Sequence, residues 1–323
     1  MPGNLTDIKK EIVVDGYDND LNGSVHSVYV MTLEKPTYLS YALASLTNYS
    51  MTGKYTKEEA SNIDRELDNA IGIFDSVESF EMASVAAFNE LKDKIDFEYI
   101  EVTYIYSANK NIESNIKYTS VVGNLIKRIG NLDKDYPSFD EINSELQNTL
   151  PGDSINILLE DSKGKTSDLT IKKNTETGLF GLTIRKSFKV TKSPEVKVKN
   201  VFSQGPSGGA MQSLYIYLLL NKDEDLLKGR NIAGTGTITY TYDDSNNLVL
   251  GKVGAIGCVG QKLYSAYLDH ATVFYCPESN YQECMRYYKL FGYTEDQIRV
   301  VKVSTLNDII EDLRSTKWNS LNH

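Results

Sequence analysis

The chain has 323 residues, of which 41% are apolar and 24% charged. That is enough for two domains, or for one large domain with an insertion. The formal net charge of -10 excludes a general nucleic-acid or anionic-membrane binder, because both need a basic face.

Three histidines, His26, His270 and His323, exclude a site built on several imidazoles, the last being at a frayed end. Cys258, Cys276 and Cys284 are odd in number and lack C-x-x-C spacing. They fit buried or free thiols rather than a zinc site or a disulfide framework. No apolar run approaches the ~20 residues of a bilayer span. The opening "MPGNLTDIKKEIVVDGYDND" is polar from the start, unlike a signal peptide. The expectation is a cytoplasmic protein or a fragment cut after an anchor.

In chain order, "IVVDG" reads as extended, "DNDLNGS" as a turn cluster and "VHSVYVMTL" as a strand. "PTYLSYALASLTNY" reads as helical. Residues 57–94 carry helical periodicity, with Met82, Val85, Ala86 and Leu91 at three-to-four spacing. From 97 to 190 the character changes. "EYIEVTYIYS" is a strand, and "KYTSVVGNLIKRIGNLD" reads as turn, strand and turn. "SFDEINSELQNTL" is a short helix with a capping box of Ser138 and Glu141. "PGDSINILLED" and "KTSDLTIKK" are two strands joined by a Ser-Lys-Gly turn. This compact mixed module lies between two segments that look incomplete alone, so it reads as an insertion. The remainder starts with "EVKVKNVFSQ" and continues with a helix over 207–220. A hairpin turning at Asp243 to Asn247 follows. Helices over 261–269, 279–291 and 305–315 then alternate with the strands "TVFYCP" and "IRVVKV".

The chemistry concentrates at "GPSGG", residues 205–209. A phosphate loop would need Lys-Ser/Thr after its last glycine, but Ala210 and Met211 stand there. "GTGT" at 234–237 is a lone G-x-G in a hairpin. The five residues match the G-x-S-x-G elbow of α/β-hydrolases. That reading needs a histidine base and a parallel sheet. His270 is the best histidine on offer, and the surroundings read as an antiparallel hairpin. A third option is a serine served by a lysine that burial keeps neutral. Lys262 sits among Ile256, Val259 and Leu263, as such a base should. Lys252, at a hairpin exit, is its rival.

"GPSGGAMQSL", "KGRNIAGTGTI" and "GKVGAIGCVGQKLYSAYLDHATVFYCPESN" together resemble the Lon-type serine protease domain. That resemblance implies Ser207 as nucleophile, Lys262 as its base 55 positions later and Thr235 as the threonine beside the pair. Gly205, Gly208 and Gly209 would then frame the oxyanion site and substrate backbone. "EMASVAAF", with Met82, Ser84 and Ala87, is close to the family's M-x-x-S-x-x-x-A helix, one register off. "NGSVHSVYVMTL" looks like the strand before it.

The implied fold class is α+β. It is the Lon proteolytic domain (ribosomal protein S5 domain 2-like), made of residues 10–96 and 188–323, with a PDZ-like domain inserted at 97–187. This combination is similar to the membrane-anchored PDZ-Lon proteases of Gram-positive bacteria. It implies an ATP-independent serine endopeptidase with a Ser-Lys dyad. Such an enzyme cleaves peptides or exported proteins, including peptide signals, on the extracytoplasmic face behind an N-terminal membrane anchor. No cofactor, metal or nucleic acid is implied. The partners would be a peptide or unfolded protein substrate and, by the ring-forming habit of Lon domains, further copies of the chain. Two other readings stay open at this point: a Ser-His esterase, and a Lon-fold binding protein without activity.

The sequence departs from the family pattern at several places. Gly208 replaces an alanine, Cys258 replaces a turn glycine, and the hairpin after Thr235 is longer. In the inserted module the G-D-x-I stretch reads Gly123-Asn124-Leu125-Ile126. No G-L-G-F loop precedes "EVTYIYS", where a PDZ carboxylate-binding loop is expected.

Overall fold

The computed structural model describes residues 1–33, 36–53, 56–199, 205–222 and 224–315. His323 and the last residues of "EVKVKNVFSQ" lie outside them. In chain order the elements begin with β1 (Pro2–Asp7), β2 (Ile12–Val14), β3 (Gly23–Val30), α1 (Tyr38–Ser45), α2 (Lys57–Asn62) and α3 (Arg65–Glu90). Next come β4 (Glu98–Ala108), β5 (Leu125–Ile129), α4 (Phe139–Asn148), β6 (Ser154–Glu160), β7 (Thr166–Lys172) and β8 (Leu182–Lys192). The rest is β9 (Val196–Val198), α5 (Gly209–Leu220), β10 (Arg230–Gly234), β11 (Thr237–Tyr242), β12 (Leu248–Gly254), α6 (Val259–Leu268), β13 (Val273–Pro277), α7 (Glu278–Phe291), β14 (Arg299–Val303) and α8 (Leu306–Arg314). Among the described residues no helix is long and apolar enough to cross a membrane.

The chain divides into two compact units. The first holds residues 1–55, 79–97 and 192–323; the second holds 56–78 and 98–191. Residues 56–78, read from sequence with the first segment, belong to the second unit. The division falls inside α3, whose periodicity is continuous and cannot mark it.

The first unit is built on a five-stranded sheet in the order β1-β3-β10-β13-β14. β3, β10, β13 and β14 run parallel, and only β1 is antiparallel. This corrects the expectation of antiparallel surroundings. β10 is the short segment "RNIAG", which its neighbours on both sides make a central strand. α6 and α7 pack on each other, with Val259, Leu263, Ala266, Phe274 and Cys284 in one buried cluster. α5 packs on β3, β10 and α8. All twelve residues of α5 are buried, as expected of a helix that is apolar on every side. The expected hairpin is β11–β12, with Asp243 accepting from the Ser245 and Asn247 amides at the turn.

The second unit is a five-stranded sheet in the order β7-β6-β5-β4-β8. Its core is rich in isoleucine, with Ile105, Ile126, Ile129, Ile142, Ile157 and Ile171 all buried, a composition that suits a half-buried pleated surface. The capping box of α4 forms as expected. Ser138 Oγ accepts from the Glu141 amide, and the Glu141 carboxylate accepts from the Ser138 amide. β8 was missed in the sequence, where its charged residues hide the alternation.

Candidate active site

Ser207 lies in the turn that leads into α5, one residue before the N-cap, Gly208. Gly205 has φ +90, in the left-handed region that glycine reaches without strain. Gly209 does a different job. A Cβ there would come within 2.8 Å of Ile238 Cγ2 and of Ser79 Oγ, so this glycine makes room for β11 and α3. The Gly209 amide donates to Pro206 O at 3.2 Å, and the Ala210 amide donates to Gly236 O at 3.1 Å. Neither is therefore free to serve an oxyanion. The Gly209 amide, engaged within the turn, therefore does not fit the expected oxyanion role.

Thr235 follows the carboxyl end of β10 and is fully buried. In parallel sheets that edge is where binding groups gather. The Thr235 hydroxyl donates to Ser207 O at 3.0 Å, and the Gly236 amide donates to the same oxygen at 2.9 Å. The serine turn is thus tied to the sheet through its own carbonyl.

Lys262 comes from the first turn of α6 and is 3% exposed. Its Nζ lies 2.7 Å from Ser207 Oγ and 3.0 Å from Thr235 Oγ1. Burial pushes the Lys262 ammonium down to about 8, with Cys258 opposing the shift. An amine neutral near working pH, hydrogen-bonded to a serine hydroxyl, can take its proton. Thr235 accepts from Lys262 while donating to the serine carbonyl, so it fixes where Nζ points.

Cys258 is the N-cap of α6 and adopts the left-handed conformation, φ 60 and ψ 39. Its carbonyl accepts from the Lys262 amide at 3.2 Å. A non-glycine residue here is unusual, and its conformation explains why a glycine would suit the position.

The structure brings Ser207, Thr235 and Lys262 together and leaves the rivals out. Lys252 pairs with Thr239 in the hairpin. His270 sits at φ 56 in the turn after α6. Among the described residues neither His270 nor His26 hydrogen-bonds Ser207, and no cluster of residues suited to a metal ion occurs.

Sequence reasoning missed Ser79 and Gln212. Ser79 Oγ donates to Pro206 O at 3.3 Å and to Gln212 Oε1 at 3.2 Å. The signal was a lone glutamine inside the apolar run "AMQSLYIYLLL". No protein-family model matches the chain, and no curated protein matches it.

Proposed function

We propose that the chain is a serine endopeptidase of the Lon type, working without ATP through a Ser207–Lys262 dyad. One observation carries the reading: a buried lysine whose amine is 2.7 Å from a serine hydroxyl and whose burial holds it near neutrality. Ser207 Oγ attacks the scissile carbonyl carbon while its proton passes to Lys262 Nζ. The tetrahedral oxyanion is met by the Ser207 and Gly208 amides at the positive end of α5. As the C–N bond breaks, Lys262 returns the proton to the leaving amine. Water then attacks the acyl-enzyme, giving its proton to Lys262, and the acid product leaves with Ser207 restored. Thr235 holds Nζ in line throughout.

The second unit is read as PDZ-like. Support comes from β8, an edge strand of its sheet, and from a cavity of about 650 Å³ beside it. The cavity is lined by Asn143, Leu146 and Gln147 of α4 and by Phe180, Gly181 and Leu182. The stretch "GLFGL", residues 178–182, runs into β8. Its likeness to the loop sought before β4 supports the reading, at the other end of the module. A peptide end could add to the β8 edge there. Exported proteins or peptide signals at the cell surface are the substrates this reading favours.

The test is peptide hydrolysis by purified chain. Ser207→Ala and Lys262→Met should each abolish cleavage while circular dichroism stays native. His270→Ala should cleave normally. Near-normal activity in Lys262→Met would sink the dyad, and a dead His270→Ala would favour the Ser-His esterase.

A further inference from the structure

The place of Lys262 depends on the loop that leads into its helix. Residues 255–258 join β12 to α6, and the loop ends at Cys258 in the left-handed conformation. Cys258 O accepts from the Lys262 amide at 3.2 Å, so the course of this loop sets where the lysine side chain starts. Packing gives the loop little hold. Ala255 and Gly257 are exposed, and a Cβ on Gly257 would meet nothing within 4 Å.

The hold comes from α7. Asn280, in its first turn, is 7% exposed. Its Oδ1 accepts from the Ile256 amide at 2.8 Å, and its Nδ2 donates to Ile256 O at 2.9 Å. One side chain thus grips both backbone groups of one residue, as a neighbouring strand would. Further on, at Gly260, α6 meets α7 again. A Cβ there would fall on the Tyr287 ring, so only glycine lets the two helices come this close. Asn280 owes its place to the carboxyl end of β13, which pairs in parallel with β10. Thr235 follows β10, and its amide donates to Tyr275 O of β13 at 3.1 Å. The threonine that bonds Lys262 Nζ and the asparagine that bonds its loop therefore leave adjacent strands at the same edge. A buried asparagine costs stability unless its polar atoms are matched, and here the loop matches them. Cys258, in turn, is a non-glycine residue at positive φ, a conformation that persists where the surroundings over-determine it. Two bonds to Ile256, just before it, are such a constraint. A loop without them relaxes out of the left-handed turn, and the start of α6 moves with it.

We infer that Asn280 is a positioning residue: by gripping both backbone groups of Ile256 it fixes the turn at Cys258 and the start of α6, and so holds Lys262 Nζ against Ser207 Oγ. This rests on the proposed hydrolase reading and adds to it a residue that touches neither member of the dyad. Displacement of a reacting atom by about 1 Å can cost up to ~100-fold in rate.

The experiment uses the full chain. It measures kcat and KM for a peptide, the pH profile of kcat, and the rate at which a fluorophosphonate probe labels Ser207. Asn280→Ala removes both bonds to Ile256. It should lower kcat and the labelling rate about 10- to 100-fold, with KM within about twofold. A displaced Lys262 also regains water, so the rising limb of kcat should move up from about 8 toward the ordinary 10.5. A chain that is only less stable would lose amplitude with its limb unmoved. Asn280→Asp has nearly the same shape and still accepts from the Ile256 amide, and it keeps the measurement usable should Asn280→Ala not fold. Well below its melting temperature it should label about 3- to 10-fold more slowly than the parent. Parent-like rates in folded Asn280→Ala overturn the positioning role alone. So does a lowered kcat whose limb stays at about 8. Where Asn280→Ala does not fold, parent-like labelling of Asn280→Asp overturns it too. A parent chain that neither cleaves peptides nor labels at Ser207 overturns the hydrolase reading itself, and the positioning role with it.

Discussion

In the first unit, Lys262 and Glu11 lie in the core with no ion pair among the described residues. In the second unit, charged side chains meet opposite charges. Lys127 pairs with Glu160 at 2.9 Å, Lys134 with Glu141 at 2.9 Å, and Arg185 with Asp75 at 2.7 Å and Glu78 at 2.6 Å. The consequences for ionisation are opposite where the pair is exposed; Glu78, buried beside Arg185, is pushed up by burial like Glu11. Burial moves Lys262 down and Glu11 up, each toward its neutral form. The Lys134 and Ser138 bonds hold the exposed Glu141 down at about 2, firmly charged. Groups poised near neutrality are the ones that can exchange protons during a reaction. Matched surface pairs contribute little to stability and nothing to proton transfer. By this contrast the proposed chemistry belongs to the first unit, where the poised groups are.

The sharpest way to break the contrast is to remove the poised groups. Ser207→Ala or Lys262→Met should lower kcat about 10⁴-fold or more, since the members of such a unit fail together. Thr235→Val, which keeps the shape but loses the hydroxyl, should cost about 10- to 100-fold. The pH profile probes the same site without mutation. Lys262 must be neutral to accept a proton, and its ammonium titrates at about 8. Activity should therefore rise about tenfold per pH unit below that value and level off above it. A flat profile from pH 6 to 9 would remove Lys262 as the base.

Stability separates the units next. Lys262 has a folded value of about 8 against an ordinary 10.5. Its burial therefore costs stability below pH 8, and that cost fades as pH climbs toward 10.5. Lys262→Met should then be more stable than the parent at pH 7 by about 1–3 kcal/mol, measured by urea unfolding. Arg185→Ala, which strands Glu78, should lose about 1–3 kcal/mol. The smallest effect expected is at Glu11. Its folded value of about 7 exceeds the ordinary 4.5, so the folded state keeps a proton that the unfolded chain has released. Stability should fall as pH rises from about 4.5 to 7. Glu11→Gln should remove that slope and gain about 1–2 kcal/mol at pH 8.

Most single elements were legible because their signals are local. The α4 capping box, the β11–β12 turn and the helices α6, α7 and α8 all follow from spacing within a few residues. β8 and β10 were harder. Their side chains are set by neighbours far along the chain, and "RNIAG" becomes a strand only because β3 and β13 flank it. At the site, Ser207, Thr235 and Lys262 were each named in advance, but the use of Gly209 was not. That residue clears space for Ile238 and Ser79, which are remote in sequence.

The sequence by itself determined two residue settings, a serine among glycines and a lysine in an apolar, small-residue stretch; Thr235 was implied only by the resemblance to the Lon-type pattern. Local propensity and turn chemistry suffice for that. Only the tertiary structure decided that these three meet. Distances of 2.7 and 3.0 Å, and the burial that lowers Lys262, come from packing α5 and α6 against strands separated by hundreds of residues. The same holds for Ser79 and Gln212. A polar residue in an apolar run shows that something is matched, and the fold alone supplies the partner.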